Sequence, residues 1–231
     1  MTWLTKSKFL AGLQCHKRLW FEVHEPLEDP APAPLPVLLG REFDEVVQTL
    51  EPGIIISRDN GMAAAILETE RLLREGASVL HQPAFRSGDL VVIADLMRRD
   101  DGSLELVEVK ASTAVKETHI PDAAFQALVI ERTGVHLRKI SIGHVNSQFK
   151  LERLDDYQGL LTETDVTGAV RASLQAVADS AERFQAVMAN SSCPPIDVGA
   201  HCTSPYDCPF MARCHLPKGT GAEYPITSLP R

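Results

Sequence analysis

The 231-residue sequence lacks any run of about 18 consecutive apolar residues, so no transmembrane helix is expected. It also lacks the apolar stretch of a signal peptide. MTWLTKSKFLAGLQCHKRLW mixes charge throughout, and the cytoplasm is the expected compartment. There is no excess of positive charge: 23 Lys and Arg stand against 31 Asp and Glu, a formal charge of −8. That excludes a protein whose whole surface binds polyanions, and any grip on phosphates has to be local. Aromatic residues are scarce at 6%, and paired C-x₂-C knuckles of the zinc-ribbon kind are absent among the five cysteines. What is present is ordinary: 44% hydrophobic and 23% charged residues, enough for one substantial core with an appendage.

The most informative stretch is GDLVVIADLMRRDDGSLELVEVK, from Gly88 to Lys110. Asp89 to Arg98 reads as a buried strand around Leu90–Ile93. Asp101-Gly102 carries the turn chemistry of a hairpin, and Ser103 to Lys110 alternates apolar and polar. Val107 and Val109 then face one side of the sheet, Glu108 and Lys110 the other. Pairing around Asp101-Gly102 brings Asp95 level with Glu108. Asp95 directly follows Val91–Ala94, an expensive place for a carboxylate without a partner. Two carboxylates and a lysine are what phosphodiester hydrolysis needs: Asp95 and Glu108 to hold Mg²⁺ or Mn²⁺, Lys110 to position water and offset developing charge. His81, in the preceding apolar segment, is a candidate third ligand as a neutral imidazole.

Along the rest of the chain, residues 2–24 read as a helix with Thr5 or Ser7 as N-cap. The proline-rich connector Glu25 to Pro36 follows, then a helix from about Leu38 to Leu50 carrying Glu45. A helix from Met62 to Glu75 stops at Gly76, and Ala77 to Phe85 reads as the first core strand. A polar loop, Ala111 to His119, leads to a helix opened by Pro121-Asp122 and ending near Gly134, with Gln126 on it. Lys139 to Val145 is a buried strand, joined to the earlier strand through a crossover helix in a mixed sheet. Thr164 to Asn190 reads as a long bracing helix. Lys116, Arg132 and Lys150 are candidates for holding substrate phosphates. Cys202, Cys208 and Cys214, in HCTSPYDCPFMARC, suggest a metal site completed by a further ligand. With spacing alone, zinc with His201 or His215 stays open.

Ala94-Asp95 followed by Glu108-Val109-Lys110, in the order helix, strands, helix, strand, resembles the PD-(D/E)XK nuclease superfamily, with alanine in place of the leading proline. Cys15 at one end and three cysteines at the other make the chain similar to iron–sulfur exonucleases of the RecB type. SKFLAGLQCHKRLW, VEVKASTAVKETHIPDAAFQALVIERTG and PPIDVGAHCTSPYDCPF look most like RecB-like bacterial nucleases, and the resemblance spans about residues 3–216. It implies an α/β restriction-endonuclease-like core, a mixed central sheet flanked by helices, at 37–160. Segment 1–36 and segment 161–231 would supply a cluster joining the two ends of the chain. It further implies a [4Fe–4S] cluster on Cys15, Cys202, Cys208 and Cys214, leaving Cys193 spare. A divalent ion would sit on Asp95, Glu108 and the Val109 carbonyl with His81 beside it, and Gln126 would steer substrate or Lys110. The activity implied is a DNA exonuclease acting on single-stranded ends, with a helicase or recombination partner. Two other readings of the same residues are a degenerate module that only binds nucleic acid and a zinc-stabilised regulatory domain. The intact Asp, Glu and Lys weigh against the first.

Overall fold

Thr5 ends a two-residue strand (β1, Leu4–Thr5) and caps the helix Lys6–Gln14 (α1), its hydroxyl accepting the Lys8 amide at 3.5 Å. Cys15 is extended (φ −165°, ψ 124°), so the one helix expected over 2–24 is two, α1 and α2 (His16–His24). The break leaves little unsatisfied, because Cys15 donates back to Ala11 at 2.9 Å and accepts from Leu19 at 3.1 Å. The computed structural model describes residues 2–27 and 35–215; most of the proline-rich connector lies outside them. The next helix (α3, Leu35–Leu50) starts three residues before its expected position, with Pro36 in the first turn, where a missing amide hydrogen costs nothing.

A short strand (β2, Ile54–Ile55) and helix α4 (Met62–Arg74) follow, the latter closed by Gly76 at φ 82° as its sequence demands. The two long strands expected over 77–85 and 89–98 are each cut in two: β3 (Val79–His81) and β4 (Ala84–Ser87), β5 (Leu90–Ile93) and β6 (Leu96–Asp100). Pairing nevertheless continues across the cut. Gln82 donates to the Asp95 carbonyl and Ala94 to the Pro83 carbonyl, both at 3.0 Å. One antiparallel ribbon therefore folds over at Gln82-Pro83 and Ala94-Asp95, with Gln82 at φ 54° and Pro83 unable to donate. Its outer half joins β1 in a three-stranded sheet, and its inner half joins the six-stranded sheet β2-β3-β6-β7-β8-β9, with β7 (Ser103–Lys110), β8 (Leu137–Val145) and β9 (Leu161–Asp165).

The β6–β7 turn pairs Asp100 with Ser103, and Asp101 (φ 46°) and Gly102 (φ 77°) make the primed turn that the Asp-Gly pair predicts. Strand β7 then runs through helix α5 (His119–Arg132) to β8, its parallel neighbour, and Gly134 (φ 90°) ends the helix. The long helix begins at Thr167 rather than Thr164 (α6, Thr167–Ala189), because Thr164 and Asp165 are still paired to β8. A 3₁₀ turn at Ala200–Cys202 and a short helix (α7, Met211–His215) complete the described chain. The result is a mixed α/β architecture with helices on both faces of the larger sheet, and no helix among the described residues is long and apolar enough to cross a membrane.

Alternation along β7 decides what each face does. Val107 and Val109 pack with Leu96, Phe43 and Val47 under α3. On the other side Leu106, Ile140 and Ile142 meet Phe125, Phe9 and Phe184 from α5, α1 and α6, in the main core. Phe9 stacks on Phe125 with ring centroids 4.4 Å apart. Gly12 lets α1 reach α6, since a Cβ there would lie 2.8 Å from the Phe184 ring. Gly12→Ala is therefore expected to lower unfolding free energy by about 1–3 kcal/mol. Gly40→Ala, in α3 where an added Cβ meets nothing within 4 Å among the described residues, should gain about 0.5–1 kcal/mol instead. Chemical denaturation of both variants checks the contrast.

Candidate active site

Glu108 and Lys110 end β7 on the α5 side, and Leu96 opposite Val107 sets Asp95 beside Glu108, as the hairpin register requires. Asp95 sits at the fold-over of the ribbon, where its Oδ2 accepts the Val109 amide at 2.9 Å. The carboxylate thus takes a backbone donor of β7 and fixes its own position against the strand. From α5, Asp122 and Gln126 are four residues apart on the face turned to β7. From the first position of α1 comes Lys6.

Glu108 is fully buried, and both its oxygens are committed. Oε1 accepts from Lys110 and from Lys6 Nζ at 2.9 Å, while Oε2 accepts from Gln126 Nε2 at 2.6 Å. Lys110 also reaches Asp122 Oδ2 at 2.6 Å, and Gln126 reaches Asp122 Oδ1 at 3.2 Å. Lys6 lies 3.8 Å from Asp95 and 3.9 Å from Asp122. The Gln126 Oε1 atom is buried without a partner among the described residues.

The charges order themselves around Glu108. Burial pushes its carboxyl up, but Lys6 and Lys110 outweigh that and hold it well below the usual range. Burial, and then the negative charge of Glu108, drives Asp95 well above its usual range, and Asp122 is raised for the same two reasons. The two lysines thus favour the charged form at Glu108, while burial disfavours it at Asp95 and Asp122. Burial opposes both ammonium groups, yet the acids around them lift Lys6 and Lys110 above the ordinary lysine value. His119 is pushed down to about 4, by burial first and then by Lys110 and Lys116, and is neutral.

The arrangement brings Asp95, Glu108, Lys110 and Gln126 together. Gln126 holds Glu108 and Asp122 and makes no hydrogen bond to Lys110. His81 is buried with its Nε2 2.6 Å from the Glu51 carbonyl oxygen, which leaves Nδ1 as the free ring nitrogen. With Asp44, Asp95 and Val109 it lines a recess of about 10 Å³. The acid that α3 contributes is Asp44. Glu45 is exposed, because the face that buries Phe43 and Val47 turns Asp44 inward. Arg132 stands ten residues beyond Asp122, roughly 15 Å along α5 by helix rise, and does not border the site. Lys116 and Lys150 are exposed on loops.

Sequence reasoning missed Lys6, Asp122 and Asp44. Asp122 had a signal: it precedes Gln126 by one helical turn. So did Lys6. The first turn of α1 contains lysines and no acid, against the helix dipole, which asks for acids there.

Beside Lys110, Asp122 and His119, a cavity of about 690 Å³ opens between α1 and the C-terminal segment, walled by Leu10, Leu13 and Tyr206. That segment is tied to α1 and α2. Gln14 Nε2 donates to the carbonyls of His201 (2.8 Å) and Tyr206 (2.6 Å), and Lys17 donates to that of Ile196 (3.2 Å). Cys193, Cys208 and Cys214 pack against the aromatic cluster Trp20, Phe21 and Phe210, so Cys193 shares the surroundings of two of the expected ligands. None of the five cysteines is in a disulfide. Among the described residues no three His, Cys, Asp or Glu side chains are grouped so that they could hold a metal ion. For the carboxylate centre, the donors are still chemically apt: Asp95, Glu108 and the Val109 carbonyl are the hard oxygens that Mg²⁺ and Mn²⁺ take.

Solved structures similar to this chain include two that it covers over most of its length. One is SSO0001, with 14% identity and a TM-score of 0.38 over 92% of this chain and 85% of that one. Another is a candidate exonuclease from Eubacterium rectale, with 14% identity and a TM-score of 0.47 over 80% of this chain and 81% of that one. No protein-family model and no curated protein matches the sequence.

Asp44 offers a pH test of the site's electrostatics. Burial, and then Glu108, pushes its carboxyl up to about 6. The folded protein then binds this proton more tightly than the unfolded chain does, so stability falls as pH rises between the unfolded value near 4 and about 6. Asp44→Asn should remove that slope. Because Asp44 is partly exposed, solvent screening limits the gain to about 1 kcal/mol over wild type at pH 7.5. The difference should close below pH 4 when urea midpoints are compared across pH.

Proposed function

We propose that the protein is a divalent-metal-dependent nuclease that hydrolyses the phosphodiester bonds of DNA, working from a single-stranded end. The observation that carries this reading is the juxtaposition of Asp95 and Glu108 with Lys110 at the end of a hairpin whose register fixes all three. Asp95, Glu108 and the Val109 carbonyl would hold Mg²⁺ or Mn²⁺, with His81 Nδ1 as a further ligand. Bound there, the ion would polarise a phosphate and lower the pKa of a coordinated water. Lys110, kept protonated between Glu108 and Asp122, orients the attacking water and offsets the charge that develops on the phosphate. Asp122 anchors that ammonium, and Gln126 keeps Glu108 pointed at it. The cavity beside Lys110 is lined by apolar and aromatic side chains suited to stacking unpaired bases, and Lys116 on its flanking loop adds local positive charge to an acidic protein.

A [4Fe–4S] cluster on Cys15, Cys202, Cys208 and Cys214 belongs to the same reading. It is supported by the resemblance and by the return of the C-terminal segment to α1 and α2, and no catalytic step passes through it. Anaerobically purified protein should then show visible charge-transfer absorption that Cys208→Ser removes and Cys193→Ser leaves unchanged. Equal loss in both variants would mean that Cys193 is a ligand.

The catalytic assignment is checked with Mn²⁺ and linear or covalently closed single-stranded DNA. Wild type should degrade the linear form and spare the circle. Lys110→Ala should lose about 100-fold or more of the rate. It is a cleaner variant than Glu108→Ala, since Lys6 still neutralises Glu108, whereas removing Glu108 takes away the acid that lies between two half-buried ammonium groups. Wild-type rates in a folded Lys110→Ala protein would refute the assignment.

A further inference from the structure

Lys6 has no part in the chemistry just described, yet it sits at the centre of it. Its ammonium is 2.9 Å from Glu108, 3.8 Å from Asp95 and 3.9 Å from Asp122. It enters from a different segment of the chain than every other group there, as the first residue of α1. That position is unfavourable for a cation, since a helix N-terminus carries partial positive charge. What holds it is the three acids.

Those contacts have a consequence for any ion that enters. Both oxygens of Glu108 are already occupied, by Lys6 and Lys110 on one side and Gln126 on the other. A divalent ion that ligates Glu108 crowds these donors and repels both ammonium groups, which favours the withdrawal of one of them. Gln126 is fully buried on α5, and Lys110 is held doubly, by Glu108 and by Asp122 at 2.6 Å. Lys6 has one short contact, and its side chain is 27% exposed, so a released ammonium can reach water. Formal charge points the same way. Three carboxylates against two ammonium groups leave one negative charge; with a divalent ion in place of Lys6 they leave none.

We propose that Lys6 is an exchangeable counter-cation. It neutralises the Asp95–Glu108–Asp122 centre when no divalent ion is bound and is displaced into solvent when one binds. Lys6 thereby keeps the carboxylates folded and poised without metal and lowers the apparent affinity for it. It is a positioning residue of the centre. The inference rests on the nuclease reading for the identity of the exchanging ion.

The test uses the intact wild-type protein. Calorimetric titration with Mn²⁺ first establishes binding. Lysine modification by an amine-reactive reagent, followed by mass spectrometry, then compares Lys6 with the exposed Lys150 in the presence and absence of saturating Mg²⁺. Displacement predicts that Lys6 modification accelerates several-fold on adding Mg²⁺ while Lys150 does not change. In parallel, Lys6→Met should bind Mn²⁺ about tenfold more tightly than wild type, a shift of 1.4 kcal/mol. Should that variant fold only with Mn²⁺, the dependence itself supports the exchange. Should it not fold at all, the wild-type modification rates decide. Binding of Mn²⁺ with no change in Lys6 reactivity overturns the exchange and leaves the nuclease reading standing. Absence of Mn²⁺ binding to wild type overturns both.

Discussion

A glutamate with no exposure to solvent is the constraint from which the rest of the site follows. An ionised carboxylate is costly to bury unless its charge and its lone pairs are all met. Around Glu108 they are met by Lys6, Lys110 and Gln126, drawn from α1, β7 and α5. The neighbouring Asp95 feels the cost of burial and of the Glu108 charge, which together push its carboxyl well above the usual range. The sheet's other buried glutamate shows the difference. Glu105, on the α3 face of β7, is paired with Arg98 and Arg138, and Arg98 in turn makes a two-pronged contact with Glu163 at 2.7 Å on both arms. That network joins β6, β7, β8 and β9 with guanidinium forks, which suit fixed structural pairing. Around Glu108 the cations are lysines, point charges on flexible stems, and the acids outnumber them. The first arrangement fastens strands. The second stores negative charge in a place a cation can enter.

The ribbon's fold-over explains how Asp95 comes to be available at all. Had β5 and β6 continued as one strand, a carboxylate following Val91–Ala94 would lie between ladder partners in the middle of a sheet. At the corner, its backbone still pairs with Gln82, but its side chain is released to take the Val109 amide at 2.9 Å. The corner costs something: Gln82 is held at φ 54°, outside the preferred region for a residue with a side chain. Strain of that kind persists where surrounding pairing fixes it, and here hydrogen bonds on both sides do so.

Legibility followed the range over which each signal acts. Asp101-Gly102 gave its turn, and with it the register of β6 against β7 and the meeting of Asp95 with Glu108, because a two-residue hairpin leaves no freedom of register. Gly76 and Gly134 gave helix ends for the same local reason. The cut strands were illegible because Leu90–Ile93 and Leu96–Met97 are apolar on both sides of Ala94-Asp95, and hydrophobicity does not say which sheet a residue is buried in. Asp44 and Glu45 differ by 100° of helix rotation, so choosing between them needs the position of α3 on the sheet. Lys6 was hidden by distance, 102 residues before Glu108. Its one local trace was a helix start with the wrong sign of charge.

Helix α1 is where the two informative parts of the chain meet. Its first residue, Lys6, reaches the carboxylates, and its last, Gln14, is bonded to the carbonyls of His201 and Tyr206, 187 and 192 positions away in sequence. Between these ends Phe9 stacks on Phe125 of α5 and Gly12 lies against Phe184 of α6. Such a helix can shift only as a unit, since close-packed interiors transmit displacement rather than absorb it. The hydrogen bonds from Gln14 are each worth about 0.5–1.5 kcal/mol, and they close loops so long that further length adds little entropic cost. The C-terminal cysteine segment therefore need not touch the carboxylates to matter to them. By holding the far end of α1 it fixes where Lys6 begins, and by standing across the cavity from Lys110 it sets the width of the approach.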